Sequence, residues 1–214
     1  LEGLKIKVFY GDIRDKNDVM AAMNGCDFVY QVAGVVSYNK IDNDNMFTTH
    51  VNGVKNILEI ARKLKVKKVV VTASTAGIGI PVNKNFPLNE KSPFDFKKYK
   101  RVMYMYSKHL TIKICKEFAS QGLNVSIISP TTIYGVGDIS MHIGKVVKKI
   151  KEEKIKFAPP GGNAVVSIED TIDAHILVME MGKKGENYII ADEFISYIEM
   201  FNRIAIMLNS KKIK

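Results

Sequence analysis

Cysteine is scarce in this chain. Its 214 residues hold two, Cys26 and Cys115, far apart and without a Cys-x-x-Cys pair or a Cys/His cluster. That spacing argues against a disulfide framework and a zinc site, leaves both thiols as small buried residues, and makes a reducing cytoplasm the expected setting. No run approaches the roughly 18 apolar residues that a membrane-spanning helix needs, so no membrane role is expected. Leu1 to Lys7 is short and mixed, with no signal-peptide pattern. Internal repeats, low-complexity tracts and flexible linkers are absent as well.

Charge of one sign is in deficit. Lys and Arg number 32 against 22 Asp and Glu, for a net charge of +10. Such an excess can mark a nucleic-acid face. Here the lysines spread along helical stretches, as in Lys63, Lys65, Lys67, Lys68 and Lys148, Lys149, Lys151, with no interleaved aromatics and no nucleic-acid motif. They read as solvated faces, and no nucleic-acid partner is expected. The apolar share of 46% and mean hydropathy of -0.02 describe ordinary globular material that can bury a full core.

Apolar runs of strand length alternate with amphipathic segments. Leu4–Tyr10, Asp27–Val32, Lys68–Ala73 and Leu123–Ser129 read as strands. Lys16–Met23, Asn43–Leu64 and Tyr99–Gln121 read as helices between them. Uninterrupted β-branched strands suit a parallel sheet covered on both faces. The alternation predicts an α/β fold with a doubly wound, Rossmann-like parallel sheet. After Gly135 the elements shorten, with helices near Ile143–Glu152, Glu169–Met181 and Ser196–Leu208. The expected division is therefore a dinucleotide-binding region over 1–135. A smaller substrate-binding region occupies 136–214, interleaved with the last sheet elements. Glu169, Asp170 and Asp173 read as an acidic helix start rather than a metal site. Met103, Met105 and Met141 read chiefly as core.

Tyr104 and Lys108 lie four residues apart in a helical segment, which stacks them on one face. A phenol ordinarily titrates at about 10, too high for proton transfer near neutrality. A neighbouring ammonium favours the phenolate and poises the tyrosine to give or take a proton. Ser74 comes just after the strand Lys68–Ala73, at the carboxyl end where open α/β sheets bind ligands. Its hydroxyl could hold a substrate oxygen. Taken alone, a Tyr-x-x-x-Lys spacing is weak, since most such pairs are surface neighbours on a helix. Tyr99 and Tyr106 have no lysine four residues on.

These residues, in this order, resemble the extended short-chain dehydrogenase/reductase superfamily, the NAD-dependent epimerase/dehydratase family. The nearest branches are the dihydroflavonol reductase-like proteins and the hopanoid-associated sugar epimerases. Gly11-Asp12-Ile13-Arg14-Asp15 is similar to the family's GDLRD, Val29–Gly34 to VFHLAA, and Val71–Ala76 to YTSSxA. Pro87-Leu88-Asn89-Glu90 resembles PLDE, Tyr104–Lys108 Y-x-x-SK, and Ser129–Asp138 RPxxVYGPGD. Val166–Asp170 with Ala174–Leu177 resembles VHVDDVAxAHL, and Gly185–Ile190 GERYIL. The resemblance implies Ser74, Tyr104 and Lys108 as catalytic residues. It implies contacts to NAD or NADP from Asp12, Ile13, Ala33, Gly34, Thr72, Tyr104, Lys108, Pro130 and Thr132. It also implies a small-molecule substrate and a homodimer through the two long helices. The activity implied is a reductase or dehydrogenase acting on a ketone or secondary alcohol. Two alternatives remain open: a nucleotide-sugar epimerase or dehydratase using the same three residues, and a catalytically silent relative.

Some positions depart from the pattern. Ser129 replaces an arginine, Ser167 a histidine, and His50 stands where NVxGT has its asparagine. The family's opening GxxGxxG, where a helix N-terminus holds a pyrophosphate, has no match here. Gly77-Ile78-Gly79 comes after a strand but lacks the third glycine. The chain thus reads as beginning near the family's third strand, which leaves Leu4–Tyr10 and the edge of Asp27–Val32 without their usual neighbours. The residue that separates NAD from NADP lies in the missing part, so the preference is not readable.

Overall fold

The computed structural model describes residues 3–37, 39–81, 86–139, 141 and 143–214. Helix α1 (Lys16–Met23) opens under an N-cap, Asp15, whose carboxylate accepts from the Asn17 N–H. Strand β1 (Phe28–Gln31) is next. After it, α2 (Asn43–Phe47), a π-helical stretch Thr48–Gly53 and α3 (Val54–Lys63) run on from one another. Then come β2 (Lys68–Thr72), a 3-10 turn Thr75–Gly77, α4 (Phe96–Tyr99), α5 (Met103–Ser120) and β3 (Val125–Pro130). The remaining elements are β4 (Thr132–Tyr134), α6 (Gly144–Lys151), β5 (Gly162–Ser167), α7 (Ile168–Met181), β6 (Asn187–Ile190), β7 (Glu193–Ser196) and α8 (Tyr197–Met207).

The chain divides into two compact units. The first comprises Leu1–Ser129 with His175–Ile189, the second Pro130–Ala174 with Ile190–Lys214. A four-stranded sheet has the order β1-β2-β3-β6, with β1, β2 and β3 mutually parallel. Val69, Val70 and Val71 of β2 are wholly buried, as are Val125, Ile127 and Ile128 of β3. Burial on both faces is what a covered parallel sheet demands of its strands. Leu58, Ile57 and Ala61 of α3 and Ile112, Cys115 and Phe118 of α5 pack into the same core. Each of its larger aliphatic side chains contributes about 1.5–3 kcal/mol by leaving water.

The second unit has its own three-stranded sheet, β4-β5-β7, parallel at the first pair and antiparallel at the second. A small core of Ile150, Phe201, Ala205 and Ile213 joins α6 to α8 and the last residues. Ser167 caps α7, accepting from the Asp170 N–H and donating to its carboxylate. The acids Glu169 and Asp170 thus form the first turn of a helix, and no metal-binding cluster occurs among the described residues.

Several expectations need correction. Leu4–Tyr10 forms no strand, and Leu4, Ile6, Val8, Phe9 and Tyr10 are all exposed. A strand exists only through a ladder partner, and β1 pairs with β2 alone among the described residues. The helix read over Tyr99–Gln121 is broken: α4 ends at Tyr99, and Val102 takes a non-helical conformation before α5 starts at Met103. Lys68 is no solvated lysine. It is buried, and its ammonium donates to the Gly182 carbonyl at 2.6 Å. Cys26 is exposed, whereas Cys115 is buried, where loss of water raises its pKa. No described helix is long and apolar enough to cross a membrane.

Candidate active site

The site lies in the first unit, where β1 and β2 end against the opening of α5. Lys108 occupies the second turn of α5 and is buried. Its ammonium donates to the carbonyl of Thr72, the last residue of β2, at 3.1 Å. Burial pulls the lysine pKa down to about 8, because a low-dielectric surrounding disfavours the charged form. Tyr104, one turn earlier on the helix, sets its ring edge-on to His50, with centroids 6.0 Å apart at 66°.

Ser74 sits just past β2 and caps the 3-10 turn Thr75–Gly77, its hydroxyl oxygen accepting from the Ala76 N–H at 3.2 Å. That bond fixes the hydroxyl and leaves its hydrogen to donate. The turn is docked against α5: a Cβ on Gly77 would stand 2.7 Å from the Lys108 carbonyl carbon and 2.9 Å from the His109 nitrogen. Only a residue without a side chain lets the Ser74 turn approach the helix backbone so closely.

His50 is buried in the π-helical stretch and engages both ring nitrogens. Its Nε2 accepts from the Val35 N–H at 3.0 Å, and its Nδ1 meets the Ser107 hydroxyl at 2.8 Å. A backbone N–H can only donate, so Nε2 carries the lone pair and Nδ1 the hydrogen. Ser107 then accepts from Nδ1 and donates to the Tyr104 carbonyl at 3.2 Å. Thr111 donates to the His50 carbonyl at 2.9 Å. Every hydrogen in this run has one direction. Burial first, and the Lys108 charge second, hold the imidazole pKa down to about 3, so His50 is neutral.

Gly34, just past β1, closes the group. A Cβ there would come within 3.2 Å of His50 Nε2 and 3.5 Å of Lys108 Nζ. Ala33 accepts from Gln31 Nε2 at 2.6 Å, and Thr72 Oγ1 lies 2.8 Å from His175 Nε2. The structure thus gathers Gly34, Thr72, Tyr104 and Lys108 around His50, with Ser74 on the turn beside them. Asp12 and Ile13 are placed otherwise. Asp12 pairs with Arg14 at the surface, and that guanidinium draws its carboxyl pKa down to about 2. Ile13 packs on Gly53, and its carbonyl accepts from Asn56. Pro130 and Thr132 belong to the second unit, where Thr132 Oγ1 accepts from Asn163 at 3.2 Å. Ser107 and Thr111 were not singled out as site residues by sequence reasoning. Their spacing of four on one helix face was the available signal.

A parallel sheet with helices packed against it, and a serine just past one strand end beside a helix bearing a tyrosine and a buried lysine, defines an α/β, Rossmann-like protein. Residues 2–191 match the NAD dependent epimerase/dehydratase family, and the chain belongs to that family. It is 30% identical over 201 residues to sterol demethylase protein B of Methylococcus capsulatus, covering 90% of this chain and 58% of that protein. It is 27% identical over 203 residues to a putative dihydroflavonol 4-reductase of Synechocystis, covering 92% and 58%. Its fold is similar to DesIV, the dTDP-glucose 4,6-dehydratase of Streptomyces venezuelae solved with NAD and TYD bound. The TM-score is 0.83 at 20% identity, over 95% of this chain and 65% of that one. The chain therefore spans under two thirds of the length of these relatives.

Proposed function

We propose that the chain carries the catalytic residues of an NAD(P)-dependent oxidoreductase acting on a ketone or a secondary alcohol. The observation that carries this reading is the buried Lys108 ammonium. It is held by the Thr72 carbonyl at a strand end, one helical turn from Tyr104. Lys68 is as deeply buried on a single carbonyl, so burial alone does not mark function; what sets Lys108 apart is the tyrosine one turn before it and the strand ends it faces.

The residues fit a nicotinamide nucleotide. Gly34 presents bare backbone beside Lys108. The ammonium, having given one hydrogen to Thr72, keeps two for ribose hydroxyls. Ala33, Gly34 and Thr72 would border the ring and ribose, with Asp12 and Ile13 toward the adenine. When bound, the cofactor supplies or accepts the hydride. Ser74 orients the substrate oxygen through its remaining hydrogen. Tyr104 gives that oxygen a proton during reduction, and Lys108, while charged, stabilises the phenolate left behind. His50, through Ser107, holds the first turns of α5 so that Tyr104 and Lys108 keep their places. A substrate-binding region over 136–214 is part of the proposal. A cytoplasmic setting and a small-molecule substrate complete the proposal.

The test is a titration of the purified chain with NADH and NADPH, monitored by thermal stability and nicotinamide fluorescence. A ligand that binds only the native state raises the melting temperature by mass action. The expected result is a shift with one cofactor, retained in Tyr104→Phe, with ketone reduction reduced at least 100-fold in that variant. No shift on a folded sample, or full turnover in Tyr104→Phe, overturns the proposal.

A further inference from the structure

The first unit carries a pocket of about 380 Å³ against helix α5, lined by none of Ser74, Tyr104 and Lys108. His109, Ile112, Lys113 and Lys116 form one wall, a stripe of α5 adjoining the one that bears Tyr104, Lys108 and Thr111. Gly77, Glu90 and Asn187 add to the lining. Two of these side chains hold a polar atom in reserve. Asn187, at the start of β6, is only 4% exposed. Its Oδ1 accepts from the Ser129 hydroxyl at 2.7 Å, and its Nδ2 is buried with no partner among the described residues. His109 stacks on Phe94, with ring centroids 4.0 Å apart. Its Nδ1 lies 3.1 Å from the Gly77 carbonyl, which only accepts, so Nδ1 bears the hydrogen and Nε2 the lone pair. Burial lowers the imidazole pKa, the Gly77 bond opposes this, and the charges of Lys113 and Lys116 add to it, so the ring is neutral near neutrality. Glu90 spends one carboxylate oxygen on the Ile189 N–H at 3.0 Å.

We propose that this pocket is a second ligand site, which takes a small hydroxylated anion: a short polyol bearing a phosphate or a carboxylate. The reserved atoms are complementary, a donor on Asn187 and an acceptor on His109. A hydroxyl group both accepts and donates, so it serves the two together. An ionised carboxylate or phosphate oxygen only accepts, and leaves the His109 lone pair without a donor. A buried donor with no acceptor forfeits its hydration, and a ligand that brings the acceptor recovers the loss. The charge complement comes from Lys113 and Lys116. Both are exposed, and at three residues apart they share a helix face, so one anion meets both ammonium groups. They outnumber the single Glu90 carboxylate and leave this wall net positive. A water molecule satisfies the two polar atoms but not the two ammonium groups. A neutral polyol lacks the charge, and a simple fatty carboxylate lacks the hydroxyl. Gly77 ties the site to the Ser74 turn, whose backbone it shares. The inference stands on the pocket and not on the oxidoreductase reading.

The experiment is an NMR titration of the full chain, without cofactor, using glycerol phosphate, glycerate, glycerol and butyrate as probes. Glycerol phosphate or glycerate is expected to bind saturably, shifting the methyl signals of Ile78 and Ile112 and the side-chain amide signal of Asn187. The tighter of the two tells a phosphate ligand from a carboxylate one. Glycerol and butyrate should bind about tenfold more weakly or worse. In the double variant Lys113→Gln/Lys116→Gln the affinity of the tighter anion should fall about tenfold or more. Both lysines are exposed, so that variant keeps its fold, which its spectrum verifies. Asn187→Asp keeps the shape, puts an oxygen in place of Nδ2 and should abolish binding. Should it fail to fold, the lysine variant decides alone. Three results overturn the inference: no saturable binding of either hydroxylated anion, butyrate or glycerol binding as tightly as they do, or unchanged affinity in the double variant. Neither cofactor nor turnover enters the titration. Its failure therefore leaves the oxidoreductase reading intact, and a negative NADH and NADPH titration leaves this one intact.

Discussion

The His50 group and the cavity beside α6 handle polarity in opposite ways. Around His50, polar atoms are buried and paired in sequence, from the Val35 N–H through the imidazole and Ser107 to the Tyr104 carbonyl. Around the cavity between the end of β4 and α6, the Asp138 carboxylate caps the helix and the Tyr134 hydroxyl meets Met200, which leaves the wall apolar apart from Lys148 and Lys151. The first arrangement fixes a single geometry, because moving any member strands another in a low-dielectric setting. The second leaves its polar atoms few and near one edge, so it constrains position far less.

The sharpest way to break this comparison is at Lys108. Lys108→Met keeps the length and removes the charge, and reduction of a ketone should fall at least 100-fold in a steady-state assay. In the unaltered chain the same rate should fall as the pH rises through about 8, where the ammonium loses its proton. Next comes Gly77→Ala. The added methyl meets the Lys108 and His109 backbone, which cannot yield as a side chain end can. The cost should be about 3 kcal/mol, seen as a melting point on the order of 10 °C lower.

His50→Leu should cost about 2 kcal/mol by stranding the Val35 N–H and Ser107. His50→Asn should recover part of this through one of the two bonds. Denaturant titrations check both. The imidazole also sets an acid limit. Its folded pKa of about 3 lies below the unfolded value, so the unfolded chain takes up the proton first. Its contribution is whole above about pH 6.5 and is lost as the pH falls toward 3. In His50→Leu that part of the pH dependence should vanish.

Much of this architecture was legible in the residues. Lys16–Met23 was legible as a short helix, and β2 and β3 by their uninterrupted β-branched side chains. Helix spacing drew attention to Tyr104 and Lys108 and a strand end to Ser74, and the family resemblance is what joined the three as candidates. What escaped were properties that depend on distant partners. Leu4–Tyr10 has strand residues but no ladder partner among the described residues. Lys68 looks like its solvated neighbours and is buried only because Gly182, 114 positions later, offers a carbonyl. The tautomer of His50 is set by Val35 and by Ser107, 57 positions away. The apolar character of the α6 cavity depends on where Asp138 and Tyr134 spend their polar atoms, which no local pattern records.

The π-helical stretch Thr48–Gly53 carries a consequence of its own. An α-helix turns about 100° per residue, and a π turn accommodates one residue more. The stretch therefore acts as a phase shifter between α2 and α3, letting Met46 and His50 on one side and Val54, Ile57 and Leu58 on the other all face inward. Rewinding these six residues as regular α-helix, with none removed, would rotate α2 by roughly 100° relative to α3. His50 could then no longer meet Val35 and Ser107 together, with no change of amino acid at any of the three.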